Sequence, residues 1–287
     1  MRRVLTSPVL AAILLLSIIV VSAPLLTAHD PLEIRMDQVL QPPSGDHPIG
    51  TDELGRDVWA RLLYGGRISL AVGFLSMILT VFWGVLLGTI SGLAGGITDR
   101  VIMRLADLLL SIPSLLLMIG FLAIMPQSLL SVILVISVTG WMMVARIVRT
   151  DIMATKQKTY VLAAMKLGAG PARSFMHHLL PQCIPSIIVL AVSSASHAIL
   201  AEATLSFLGL GIPQTIPSWG NMLTGAQFHL LSGAWWLAVF PGLCIALTIF
   251  LIHALGDRLQ ASPRPISVRK EGTVHESTGT RQPDSGQ

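Results

Sequence analysis

The sequence predicts an all-α, polytopic membrane protein of about six transmembrane helices, and three observations carry that prediction. Of its 287 residues 53% are hydrophobic and only 12% charged, where an ordinary soluble domain has about 25% charged. Apolar runs of about 20 residues, the length that crosses a bilayer, recur along the chain. The basic residues are segregated as well. With six spans and both termini on one side, 15 of the 19 Lys and Arg fall on that side, leaving Arg35, Arg56, Arg61 and Arg67 on the other. The positive-inside rule makes the richer side cytoplasmic. The net charge of +4 therefore does not call for nucleic acid, because the cations lie between apolar runs. Two cysteines without CxxC spacing, Cys183 and Cys244, point to neither a disulfide framework nor a zinc site.

Taken in order, residues 1–28 hold Arg2 and Arg3 and then an uncharged run from Leu5 to Ala28, of which Val9–Ala28 reads as the first span. Leu26-Thr-Ala28 could close a cleaved leader, but the apolar run exceeds the roughly 7–15 residues of a signal-peptide core, which favours a retained helix. Residues 29–68 read as a polar external loop, broken by Pro31, Pro42, Pro43 and Gly45. It holds His47-Pro-Ile-Gly-Thr-Asp-Glu-Leu-Gly-Arg-Asp57. Histidine and acidic residues are dense there, yet no ligand spacing is recognisable, so the loop is read as ordered and no metal site is assigned.

Residues 69–258 form a core of five spans. The second span is Ser69–Leu93, where Gly84, Gly88 and Gly92, continued by Gly96, recur every fourth residue. On a helix they make one smooth stripe, suited to close packing against a neighbour. A phosphate loop would need a following Lys-Ser/Thr and a preceding strand. Asp99, Arg100 and Arg104 mark an interface, and Arg104 is spaced to pair with Asp107. The third span is Val101–Met125, with a kink at Pro113 that neighbouring helices accommodate. The fourth is Ser128–Ala145, the fifth Ile184–Phe207 and the sixth Ala234–Ala254. Between the fourth and fifth, residues 146–182 form a polar cytoplasmic loop. Between the last two lies a Gly/Pro-rich connection with Ser206-Phe-Leu-Gly-Leu-Gly211 and Pro217-Ser-Trp-Gly-Asn221. Trp219, Trp235 and Trp236 suit an interfacial aromatic belt. Residues 259–287, rich in Ser, Pro, Gly and charge, read as a disordered cytoplasmic tail.

The chain shows no nucleophile elbow, no carboxylate pair in one apolar setting and no HExxH motif, so it does not read as an enzyme. It also lacks a Gly-Lys-Ser/Thr phosphate loop, so energy for any transport comes from a partner or an ion gradient. Ionisable groups inside spans are functional candidates. Here they are His197 and Glu202, near Ser193 and Ser194, as candidates for lining a translocation path. Five residues apart, His197 and Glu202 stand about 140° apart on a helix and make a poor proton relay. A structural contact with a neighbouring helix is the favoured role for Glu202.

The cytoplasmic loop contains Tyr160-Val-Leu-Ala-Ala-Met-Lys-Leu-Gly168 and then His178-Leu-Leu-Pro181. Its small residues Ala163, Ala164 and Gly168 and that spacing resemble the "EAA" loop of ABC importer permeases, with Leu162 where the family usually has Glu. Residues 47–57 resemble the "GTDxxGRD" segment of permeases in dipeptide, oligopeptide and nickel ABC importers. Residues 206–211 and 217–221 resemble the "SFLGLG" and "PSWGN" strings of the second permease of the pair. The resemblance implies the ABC importer type I permease fold in a bacterial inner membrane, with both termini cytoplasmic. It implies an ATPase-coupling loop built on Tyr160, Leu162, Ala163, Ala164, Lys166, Gly168 and Pro181. It further implies a second permease subunit, two ABC ATPase subunits that bind the ATP and Mg while this chain carries no cofactor, and an extracytoplasmic substrate-binding protein. The implied cargo is di- or oligopeptides, with nickel or a metal chelate as the alternative. An ion-coupled secondary transporter, the rival class, calls for midplane charges and paired discontinuous helices, and these spans are nearly free of charge.

Overall fold

The computed structural model describes residues 8–166 and 175–260. Arg2, Arg3, Gly168 and the tail beyond residue 260 lie outside the described residues. Among the described residues all regular secondary structure is helical apart from one isolated bridge between Thr51 and Asp57. The helices are α1 (Pro8–Val21), α2 (Ala23–Leu26), α3 (Val58–Ala94), α4 (Gly96–Leu110), α5 (Ser114–Leu122), α6 (Leu129–Lys156), α7 (Thr159–Lys166), α8 (Leu180–Phe207), α9 (Trp219–His229) and α10 (Trp236–Gln260). A 3₁₀ turn covers Met36–Gln38 and a π turn Phe175–Leu179.

Four helices, α3, α6, α8 and α10, are long and apolar enough to cross a membrane, and α4 with α5 makes a fifth if counted as one bent span. The expected first span is a shorter apolar helix of 14 residues, α1, interrupted at Ser22 before α2. Pro24 in the first turn of α2 has no N–H to extend α1's hydrogen-bond ladder. At Pro113 the expected kink is a complete break: α4 and α5 meet at 91°. The residue before a proline is pushed out of the helical region. Accordingly α4 ends with Ser111 N–H donating to Asp107 O and the Ser111 hydroxyl donating to Leu108 O at 2.6 Å.

The second span starts earlier than its apolar composition implies. α3 begins at Val58, because the Asp57 carboxylate caps it by accepting the Ala60 N–H at 2.7 Å. Arg61 and Arg67, which give this stretch the look of a loop, are on the helix. Arg61 is buried beside Asp52, 3.2 Å away, and the Arg67 guanidinium lies over the Tyr64 ring at 5.7 Å. α6 likewise runs past Ala145 to Lys156.

α3 is the central post, about 55 Å long at 1.5 Å per residue. Its C-terminal half packs on α6 and its N-terminal half on α8 and α9. A Cβ added at Gly84 would come within 2.4 Å of Val144 Cβ, at Gly88 within 2.6 Å of Ala145 O, and at Gly92 within 3.0 Å of Ile152. Gly96 is not on this face; it opens α4 with nothing within 4 Å. One core joins α1, α3, α9 and α10 through Val20, Val58, Trp219 and Trp236. A second joins α3, α5, α6 and α8 through Val72, Met118, Ile136 and Leu205. Outward-facing Phe74, Ile78, Phe82 and Phe250 remain exposed on these helices, as a lipid solvent permits.

Candidate functional site

One end of the bundle gathers the C-terminus of α6, α7 and the start of α8. α7 is held by Val161, which is 0% exposed among Val144, Val148, Ile152, Leu179 and Cys183. A helix turns 100° per residue, so the residues around Val161 must point away. Tyr160 and Leu162 are 47% and 43% exposed, and Ala163, on the far side of the helix from Val161, is exposed too. Pro181 is exposed in the first turn of α8, and Lys158 Nζ donates to Gln182 Oε1 at 3.4 Å across the two segments. Backbones of Ala164 and Lys166 continue α7, while their side chains and Gly168 lie outside the described residues.

The same end is cross-braced by charge. Arg149 Nη2 on α6 donates to Asp99 Oδ2 on α4 at 2.6 Å, and Asp99 also accepts from the Ser91 hydroxyl. Lys156 Nζ donates to Leu93 O at 3.1 Å. Asp107 pairs with Arg146 Nη2 at 2.5 Å rather than with Arg104, correcting the expected same-helix pair. α6 lies against α4, so its guanidinium reaches the carboxylate from across the interface.

At the opposite end, residues 47–57 act as a lock around the start of α3. Asp52 Oδ1 accepts the backbone N–H groups of Leu54 and Arg56, and its Oδ2 accepts from Arg56 Nε at 2.7 Å. Gly55 has φ +70°, and a Cβ there would sit 1.8 Å from Arg35 O, so no other residue fits. The Trp236 indole N–H donates to Thr51 O at 3.2 Å. Residues 217–221 perform the matching task on α9. Ser218 caps the helix by accepting the Asn221 N–H at 3.1 Å, and the Asn221 carboxamide donates to the carbonyls of Ile212, Pro213 and Ile216. Trp219, 1% exposed, donates its indole N–H to Leu62 O at 2.9 Å. The aromatic-belt reading is thus corrected for Trp219 and Trp236, which are buried hydrogen-bond donors. Trp235, half exposed, stays compatible with it.

The polar residues of the fifth span divide between two faces of α8. Ser193 and His197, four residues apart, are both exposed, with Ser194 half-buried beside them. Glu202 is fully buried on another face: its Oε2 accepts from the Ser69 hydroxyl of α3 at 3.0 Å and its Oε1 from Ser206 at 2.9 Å. Ser69 Oγ in turn accepts the Trp219 N–H at 3.2 Å. Glu202 therefore joins α3, α8 and α9 and does not share a surface with Ser193 and His197.

Sequence spacing missed one cluster. His29, His47 and Asp57 come together with ligand-capable atoms within 4.8 Å of one another. His47 Nδ1 is 2.7 Å and His29 Nδ1 4.0 Å from Asp57 Oδ2. His47 Nε2 faces Gln38 Oε1 at 3.0 Å. The two imidazole rings lie 5.2 Å apart, tilted by 35°. Separations of this length in sequence carry no ligand signature, since only the fold of the loop closes them.

Comparison with known proteins extends this geometry. The family described as binding-protein-dependent transport system inner membrane component matches residues 84–264. The chain is 38% identical over 256 residues to the oligopeptide transport system permease protein OppC of Bacillus subtilis (strain 168), covering 89% of this chain and 84% of that one. It is 40% identical over 253 residues to the dipeptide transport system permease protein DppC of the same organism, covering 88% and 79%. It is 37% identical over 255 residues to the probable D,D-dipeptide transport system permease protein DdpC of Escherichia coli (strain K12), covering 89% and 85%. Among solved structures, a chain of the MetNI methionine ABC transporter in an inward-facing conformation superposes with a TM-score of 0.56 at 19% identity, over 71% of this chain and 96% of that one. That likeness is one of fold alone.

Proposed function

Since the chain belongs to the family of binding-protein-dependent transport system inner membrane components, we propose that it is one of two permease subunits of an ATP-driven importer of di- or oligopeptides. Relatives at 36–40% identity carry peptide-permease names, which favours peptides over nickel or a metal chelate. In this reading a second permease supplies the other wall of the path, and a substrate-binding protein delivers cargo at the end bearing residues 29–57. Two ATPase subunits work at the end bearing α7, which the positive-inside bias puts in the cytoplasm along with both termini. Ser193 and His197, on the exposed face of α8, are the candidates for lining the path. ATP and Mg belong to the ATPases; this chain carries the motion.

The observation that supports coupling is the two-sided character of α7. Val161 is rooted among side chains of α6 and α8, whereas Tyr160, Leu162 and Ala163 face outward. A partner that grips the outward face displaces Val161, and close packing passes that displacement to α6 and α8, because interiors are poorly compressible. Ala164, Lys166, Gly168 and Pro181 complete the surface by the family resemblance. Docking of this kind rests on shape and apolar burial, so an unpaired charge buried there is costly. Ala163→Asp should leave the protein inserted while abolishing stimulation of ATP hydrolysis by the loaded binding protein in reconstituted membranes. Leu162→Glu should stay close to wild type, because the family usually has Glu there. Full stimulation and uptake in Ala163→Asp would rule this surface out as the coupling element.

A further inference from the structure

We propose that His29, His47 and Asp57 form a binding site for one borderline divalent cation of the zinc type, independent of the transport path. The two imidazoles and the carboxylate are the donor set that such ions take in three-ligand sites, with a fourth position left to solvent. Three features show a site organised for a ligand rather than a chance meeting of polar groups. First, the carboxylate is oriented. Asp57 Oδ1 is occupied by the Ala60 N–H at the start of α3, which leaves Oδ2 facing both histidines. Second, the His47 ring is held at both nitrogens, one of them from outside the cluster. Nε2 faces Gln38 Oε1 at 3.0 Å, while Nδ1 lies 2.7 Å from Asp57 Oδ2 with a proton shared between them, the place a cation would take on displacing that proton. A hydrogen bond to the far ring nitrogen is the usual support of a metal-bound histidine. Third, both histidines are fixed through their backbones: the His29 N–H donates to Thr27 Oγ1 and the His47 N–H to Ser44 Oγ.

The distances suit the ion after small adjustments. Bonds of about 2.0–2.1 Å in a tetrahedron place ligand atoms about 3.3 Å apart. The 2.7 Å contact of His47 Nδ1 with Asp57 must open, and the 4.0 Å separation of His29 Nδ1 must close, each by well under 1 Å. The His29 side chain is 35% exposed and free to make that move. His29 also borders an open cavity of about 600 Å³ with Thr27, Asp30 and Tyr64, through which an ion and its water can arrive. Once bound, the ion would tie the segment leaving α2 to the loop and to the first turn of α3.

The test uses the full-length chain without an affinity tag, stripped with a chelator and titrated with Zn²⁺ and separately with Co²⁺. One equivalent should bind, with the visible d–d absorption of four-coordinate Co²⁺. Zn²⁺ at a hundred times its dissociation constant should raise the folded-to-unfolded ratio about 100-fold. His29→Ala should weaken binding at least tenfold, and because the His29 side chain is only partly buried this variant keeps its fold. Asp57→Asn, which retains the oxygen that caps α3, should do the same. Binding well below one equivalent, or binding unchanged in His29→Ala, would overturn the proposal and leave only an ion pair between His47 and Asp57.

Discussion

Replacing Gly88 by alanine puts a methyl group where α3 and α6 leave no room for one. The added Cβ would meet Ala145 O at 2.6 Å and Ala145 Cα at 3.0 Å. Both atoms are backbone, so no side-chain rotation relieves the clash and the helices must part. Reaching ordinary contact requires a separation of about 0.8 Å, in the range where overpacking costs about 1–3 kcal/mol. The gap also spreads along the shared face to Gly84 and Gly92, where an opening of about 0.5–1 Å forfeits a quarter to a half of each dispersion contact. Against this stands a helix-propensity gain of up to about 1 kcal/mol for replacing glycine. Gly120→Ala isolates that gain, because a Cβ at Gly120 of α5 meets nothing within 4 Å. The two variants should therefore differ by about 1–3 kcal/mol, with Gly88→Ala the less stable. Thermal denaturation in detergent, followed by the fraction remaining monodisperse, should separate their midpoints by about 2–4 °C per kcal/mol. A Gly88→Ala midpoint equal to or above that of Gly120→Ala would refute the packing role assigned to the stripe.

Trp219→Phe keeps a buried ring but removes the indole hydrogen bond to Leu62 O, which keeps its helical partner, at a cost of about 0.5–1.5 kcal/mol; an unchanged thermal midpoint would show that the indole bond contributes nothing. Arg149→Met and Asp99→Asn should each loosen the brace between α4 and α6, and a double-mutant cycle should return a coupling of roughly 1 kcal/mol; strict additivity would mean that the pair contributes nothing. In a Cys183→Ser, Cys244→Ser background, an Asp46→Cys reporter should label from outside intact cells and a Lys158→Cys reporter only after permeabilisation. Both positions are exposed, so the reverse order would invert the orientation drawn from the charge distribution.

Membrane class and helical fold were legible because apolar runs longer than about 20 residues have few alternatives. The Gly84, Gly88 and Gly92 period was equally visible, since four residues nearly complete a turn. Where charge and fold disagree, composition misleads. Arg61 and Arg67 mark residues before Ser69 as loop, yet Arg61 is buried on α3 because Asp52 stands beside it. Only the folded loop brings that partner into place. Pro113 announces a bend, but its size depends on how the last carbonyls of α4 are satisfied, and Ser111 does so locally. Trp219 and Trp236 have the composition of interfacial residues; what buries them is a pair of backbone carbonyls, on Leu62 and Thr51, more than 150 residues away in sequence. The meeting of His29 with His47 and Asp57 is tertiary in the same sense.

The network centred on Glu202 has a mechanical consequence. Ser69, Ser206, Trp219 and the carboxylate knit α3, α8 and α9 into one stiff block, in which each polar group is spoken for and solvent is excluded. Breaking one such bond leaves a buried group stranded, which costs more than the bond itself contributes. About 30 Å further along α3, the braces between α4 and α6 are partly solvated ion pairs, each worth roughly 1 kcal/mol or less. Compliance is therefore unevenly distributed along the post: rigid near Glu202, yielding near Asp99 and Asp107. Under the coupling proposed above, a load applied at α7 would bend the chain where it is soft and swing it about where it is hard, with the fulcrum at the far end from the hand that pushes.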